Sequence, residues 1–245
     1  MTEVTDLLKK SAIVLTLGFG LALAGCGNDG DSGGGDQAGL GDRDWGDFGQ
    51  ESDIVLGDLE APVSIVEYAS VTCGHCAQFH VFTFPFLEEE YINAGLVRYT
   101  LRPLPTPPTN MARLGFMLAR CVPESRYYNF IDALMRTQPQ WAFDPNPDAR
   151  TRALAQLAAQ AGLSQSEFDA CRLDQAGLDR INVAAAASAE VGVRSTPTFF
   201  INGEMVEGAM SWEQFEPYII AYLPEDLRPA DAEAVEDTGE STVSE

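Results

Sequence analysis

Apolar and polar positions follow two rhythms along this chain. Val63-Ser64-Ile65-Val66-Glu67-Tyr68-Ala69 is a nearly continuous apolar run and reads as a buried strand. Residues 96–101 alternate and read as a second core strand, stopped by the proline-rich turn at 103–108. A shorter strand at 54–56 ends in Gly57-Asp58, and Thr198 to Ile201 is followed by Asn202-Gly203, a strong hairpin signal into Met205-Val206-Glu207. Between these runs the period changes to that of helices. Phe79, Phe82 and Phe86 recur at helical spacing, with Pro85 expected to kink their helix. From 109 to 174 the pattern is helical throughout: Met111, Leu114 and Leu118 form one stripe, and Phe130, Ile131, Leu134 and Met135 another. Leu154, Leu157, Ala158 and Ala161 make a third, closed by Gly162. Ser164 with Glu167 predicts a capping box for a helix carrying Phe168 and Cys171. An alanine-rich helix at 178–190 and a last amphipathic helix, capped by Ser211 with Gln214, complete the pattern. Strand, helix, strand at 63–101 predicts a parallel, right-handed βαβ unit, and the helical block reads as an insertion in an α/β domain.

The two ends depart from this pattern. Lys9 and Lys10 precede an apolar run too short for a comfortable membrane span, which needs roughly 20 residues, so 1–25 reads as a signal peptide. Leu23-Ala24-Gly25-Cys26 resembles a bacterial lipobox, which implies that Cys26 becomes a lipid-modified first residue and anchors the protein to a membrane. An ordinary cleaved signal or an uncleaved anchor is the alternative. Residues 26–47 are rich in glycine and aspartate and cannot bury enough apolar surface to fold, so a flexible tether is expected there. An acidic, disordered tail is expected at 224–245. The net charge of -22 argues against nucleic acid and against electrostatic attachment to anionic lipid, leaving the lipid as the expected membrane contact. Export permits disulfides, so the five cysteines need not be metal ligands.

Cys73-Gly74-His75-Cys76 carries the chemistry. It follows a predicted core strand and opens a predicted helix, where unpaired N–H groups and the positive end of the dipole stabilise a thiolate at the first cysteine. His75, between the two thiols, would add partial positive charge, while His80, one turn on, is expected to be a surface or packing residue. A structural zinc site usually needs four ligands, and one pair with isolated Cys121 and Cys171 does not supply them; no metal or cofactor is expected. Glu67, six residues before Cys73, sits in a strand that reads as buried, where an unpaired carboxylate is costly.

Strand, C-x-x-C at a helix start, helical insertion, then Thr196-Pro197 before a hairpin and final helix resembles a DsbA-type thioredoxin-fold protein. The resemblance implies a thioredoxin fold whose N-terminal part spans 48–108 and C-terminal part 177–223, with a helical insertion at 109–176 between the second core strand and the cis-proline strand. It also implies that Pro197 is cis and packs against a redox disulfide of Cys73 and Cys76, and that Thr196 contacts an extended peptide. Glu67 matches an acid that exchanges a proton with the second cysteine through water, an ordinarily solvated Glu at a strand edge being the alternative. Cys121 and Cys171 match a second, structural disulfide of some members, two buried free thiols being the alternative.

The implied function is protein thiol–disulfide exchange, in the direction of oxidising exported proteins; the Gly-His dipeptide, shared with protein disulfide isomerase, also suggests an oxidising site. Expected partners are exported proteins with free or mispaired cysteines and a membrane redox partner that the sequence does not identify. A monomer in the cell envelope, on the periplasmic side and lipid-anchored, is expected. A reductase or isomerase with the same fold is one alternative. A lipid-anchored peptide-binding protein on this scaffold, with no redox role, is another.

Overall fold

Val63–Ala69 (β2) takes the centre of a five-stranded sheet in a computed structural model that describes residues 53–229. The expected signal segment at 1–25, Cys26 and its lipid, the tether at 26–47 and the tail beyond 229 lie outside the described residues. The other strands are Val55–Leu56 (β1), Val97–Pro103 (β3), Thr198–Ile201 (β4) and Glu204–Glu207 (β5), in the order β1–β3–β2–β4–β5. β2 and β3 run parallel, with Val63 opposite Val97 and Glu67 opposite Leu101; all other pairs are antiparallel. A strand covered on both faces needs apolar residues at nearly every position, which is why β2 reads as a run rather than an alternation.

Successive side chains of β2 point to opposite faces. Val63, Ile65 and Ala69 enter the main core with Phe79, Tyr99 and Phe199. Val66 and Tyr68 join Val193 and Phe200 in a small cluster on the other side. By this period Glu67 falls on the main-core face, and it is fully buried there. Asn202 and Gly203 both have positive φ, as the tight β4–β5 turn requires, and the Asn202 side chain accepts the Ser64 N–H at 2.7 Å. At Gly57, φ is +100° and a Cβ would meet the Val97 carbonyl at 2.5 Å, so only glycine fits the turn after β1.

The helix after β2, Gly74–Phe82 (α1), buries Cys76, Phe79 and His80. Phe79 packs against Phe199 and Phe215, with centroids 4.6 and 5.1 Å away. Phe79, Phe82 and Phe86, though at helical spacing, do not share a buried face: Phe82 is 66% and Phe86 46% exposed. The helix ends instead at Thr83, whose hydroxyl donates to the Met210 carbonyl at 2.6 Å. Pro85 then lies in the first turn of a short helix, Phe84–Phe86 (α2), where its missing N–H costs nothing, and a π-helical turn, Leu87–Ile92, follows. The chain breaks at Thr83 and restarts, which takes Phe86 off the face of α1, while Phe82 already lies on the exposed side of the last turn of α1.

Six α-helices separate β3 from β4: Thr109–Cys121 (α3), Tyr127–Arg136 (α4), Gln138–Trp141 (α5), Pro147–Gln160 (α6), Gln165–Cys171 (α7) and Gln175–Glu190 (α8). Ser164 and Glu167 cap α7 reciprocally, and Ser211 with Gln214 does the same for Trp212–Ile220 (α9). This is the α/β architecture with a helical insertion that the resemblance implied. Cys121 and Cys171 are joined by a disulfide that ties α3 to α7 across 50 residues. A cross-link closing a loop of this length contributes about 4 kcal/mol in the chain-entropy account. The insertion lies tightly on the sheet end: a Cβ at Gly115 would come within 2.9 Å of Val71 and 3.2 Å of Trp141. Beyond α9 the chain makes a 3-10 turn, Glu225–Leu227. Among the described residues, no helix is long and apolar enough to cross a membrane.

Candidate active site

Cys73 is the N-cap of α1. Its extended backbone (φ −82°, ψ 123°) turns the sulfur back over the helix start, where it accepts the Cys76 N–H at 3.4 Å. The loop leading into it is fixed by hydroxyl groups: Thr72 donates to the Thr106 carbonyl at 2.8 Å, and Ser70 accepts the Thr106 N–H at 3.0 Å. From the opposite side comes the loop before β4, in which the Thr196–Pro197 peptide is cis. The Cys73 thiol lies 3.4 Å from the Thr196 carbonyl oxygen, to which it donates. Pro197 is buried and Thr196 half-buried. Residues 123 positions apart in the chain thus meet at one sulfur.

The two cysteines, both free thiols here, sit in opposite environments. Cys73 is partly exposed and its thiol is drawn down from 9.0 to about 5. The hydrogen bond from the Cys76 side chain is the chief cause, outweighing partial burial, with further help from Thr196 and the N–H groups of Cys76 and His75. Cys76, fully buried, is pushed well above 9.0 by burial first, then by its bond to Cys73 and the negative charge of Glu67. His75 is exposed, and its contribution at the sulfur is made by its backbone N–H.

Beneath Cys76 lies a polar group that sequence reading did not assemble. Glu67, His80 and Tyr99 are 0%, 1% and 0% exposed. His80 Nε2 is 3.1 Å from Glu67 Oε2, the Tyr99 hydroxyl donates to that same oxygen, and Tyr99 and His80 are 3.5 Å apart. Burial, then the Glu67 charge, raise the Tyr99 phenol well above 10.0, so it remains a donor. His80 was expected to be a surface or packing residue; it is instead the buried partner of Glu67. A signal was present, since His80 lies four residues after Cys76 and therefore on its face of α1. Tyr99 had none, because its approach to Glu67 depends on the β2–β3 register.

Gln138 was also missed. Its amide, on α5 of the insertion, donates to the carbonyls of Val71 (2.9 Å) and Cys73 (3.0 Å), bracketing the active-site turn. Gln138→Leu should lose about 1–3 kcal/mol of stability in urea unfolding, because buried carbonyls lose a donor. An unchanged midpoint would show that these bonds are replaceable. Among the described residues, no three His, Cys, Asp or Glu side chains are grouped to hold a metal.

Comparison with known proteins agrees with this geometry. A family model described as thioredoxin matches residues 50–221. The chain belongs to the thioredoxin family. Within that family it is DsbA-like. The crystal structure of alpha-DsbA1 from Wolbachia pipientis superposes with a TM-score of 0.64 at 30% identity, covering 70% of this chain and 91% of that one. A structure described as a protein-disulfide isomerase, from Novosphingobium aromaticivorans, gives a TM-score of 0.58 at 26% identity, covering 69% and 96%. A Rickettsia typhi protein whose assigned name is that of a protein-disulfide oxidoreductase is 29% identical over 161 residues, 64% of this chain. This thioredoxin-family chain spans only 57% of that curated relative's length.

Proposed function

We propose that the chain is a protein thiol–disulfide oxidoreductase that donates disulfides to exported proteins. The observation that carries this reading is the placement of the two sulfurs, Cys73 partly exposed at the N-cap of α1 beside the Thr196 carbonyl and Cys76 fully buried, which draws the first thiol down and pushes the second up. A substrate thiolate attacks the Cys73 sulfur of the Cys73–Cys76 disulfide. The S–S bond breaks, its electron pair goes to Cys76, and Glu67 supplies the proton that makes Cys76 a thiol. A second substrate cysteine then attacks the substrate sulfur of the mixed disulfide and expels Cys73 as a thiolate. A stable leaving thiolate makes this step fast and the disulfide a good oxidant. His75 assists at the Cys73 sulfur, and Thr196 and Pro197 present the backbone against which an extended substrate lies. The Cys121–Cys171 bond is structural.

The lipobox-like segment supports a periplasmic location in which 1–25 is removed and Cys26 carries the lipid, with 26–47 as tether and the monomeric domain of 48–223 free to reach substrates. A membrane redox partner restores the disulfide. The direct test is transfer to a reduced two-cysteine peptide. The oxidised protein should convert one equivalent of peptide dithiol to disulfide and emerge with Cys73 and Cys76 reduced; the reverse flow under the same buffer would point to a reductase.

A further inference from the structure

Both hydrogen bonds to the buried Glu67 carboxylate fall on one oxygen. His80 and Tyr99 meet Oε2, while Oε1 is buried with no partner among the described residues. A carboxylate in such a place normally fills its acceptor sites, so a vacant oxygen in the core calls for a reason. The neighbour that supplies one is Cys76, buried one turn before His80 on the same face of α1, whose thiol feels the charge of Glu67. His80 cannot turn away to serve another group: it stacks on Phe84 at 4.9 Å, has Phe79 edge-on at 5.8 Å, and its Nδ1 is itself buried and unpartnered. Nε2 is the ring nitrogen that faces Glu67, 3.1 Å from its Oε2, and is placed to donate to the carboxylate.

We infer that His80, together with Tyr99, is a positioning residue of the exchange reaction: the two hold Glu67 by Oε2 so that Oε1 stays free as the oxygen that trades a proton with Cys76. This rests on the thiol-exchange reading above and assigns the geometry that one of its steps needs. When Cys76 attacks a mixed disulfide on Cys73, its S–H proton passes to Oε1 as the new S–S bond forms and the bound thiol leaves as a thiolate. When the Cys73–Cys76 bond is broken by an incoming thiolate, the same proton returns from Oε1 to Cys76. Nothing is oxidised or reduced at Glu67, His80 or Tyr99.

The test separates the step that uses Cys76 from the one that does not. Cys73 of the reduced full-length protein is converted to its mixed disulfide with glutathione, and the release of glutathione by Cys76 is timed. Alkylation of Cys73 by iodoacetamide is measured in parallel. His80→Leu should slow release at least about tenfold, a part of the roughly 10²–10⁴-fold that a positioned acid–base group supplies, and leave alkylation within about twofold. His80→Gln, which keeps an N–H donor, should recover most of the loss. In a Glu67→Gln background His80→Leu should add no further loss, since it acts through Glu67. Wild-type release in His80→Leu, or His80→Gln as slow as His80→Leu, overturns the inference; should the leucine variant fail to fold, the glutamine variant and the Glu67→Gln background still decide it. If the wild-type protein forms the mixed disulfide but never resolves it, the exchange reading itself has failed.

Discussion

Cys76→Ala should turn the protein into a trap that accumulates mixed disulfides with protein substrates, whereas Cys73→Ser should abolish exchange. The two outcomes follow from the positions of the two sulfurs. Cys73 is partly exposed at the helix N-terminus, beside the Thr196 carbonyl, and carries the lowered thiol that we propose attacks or leaves. Cys76 is fully buried one turn inside the helix and is reached through Cys73. Removing Cys73 leaves no accessible sulfur in the C-x-x-C pair, and the loss of peptide exchange should reach at least about a thousandfold, as for other enzymes deprived of a nucleophile. Removing Cys76 leaves a reactive Cys73 with no internal thiol to release what it captures. Non-reducing gels of the purified variants distinguish them: slower bands that collapse on reduction for Cys76→Ala, and none for Cys73→Ser. Equal behaviour of the two would mean that the thiols do not have separate roles.

The second large effect is on pH. In the folded, reduced protein the Cys73 value is about 5, below the 9.0 of an ordinary thiol, so the group is depressed by folding. A depressed acid adds stability that is complete above its unfolded value and disappears as pH falls through its folded value. Stability of the reduced form should therefore climb from about pH 5 to about pH 9 and vanish as a thiolate contribution below about pH 5. Cys76 is raised above its ordinary 9.0, so it adds no slope until the pH nears 9, where the unfolded chain loses this proton first and stability begins to fall. The oxidised form has neither titration and is the reference. The size of the gain is reduced by solvent screening, since Cys73 is partly exposed. Urea unfolding of both forms across this range, with thiolate absorbance followed in the same samples, should show the reduced form gaining on the oxidised one as pH rises and a thiolate midpoint near 5. Parallel curves and a midpoint near 9.0 would contradict the assignment.

The sequence pattern carried the architecture further than it carried the floor of the site. β2 and the Asn202-Gly203 hairpin were legible because burial on two faces and positive φ each select a narrow set of residues. The Cys73-to-Cys76 spacing and Thr196-Pro197 marked the two loops that the fold brings together at the Cys73 sulfur. The interruption expected at Pro85 falls two residues earlier, at Thr83, so Phe86 starts from a separate short helix although its spacing fits a continuous one. Tyr99 and Gln138 were silent for another reason. Each meets its partner across 32 and 65 or more residues, through strand register in one case and docking of the insertion in the other, and neither leaves a local trace. Glu67 could be singled out as a buried acid, but that both its donors sit on one oxygen is visible only in three dimensions.

The redox equilibrium of the Cys73–Cys76 pair against glutathione, read on the full chain by differential alkylation of the two cysteines, decides whether this protein donates disulfides. A reversible pair with a potential of about −120 to −180 mV, the range of disulfide donors, is expected. A value near about −270 mV would reverse the assigned direction and make the protein a reductant. A pair that fails to close in oxidising buffer would contradict thiol–disulfide exchange altogether.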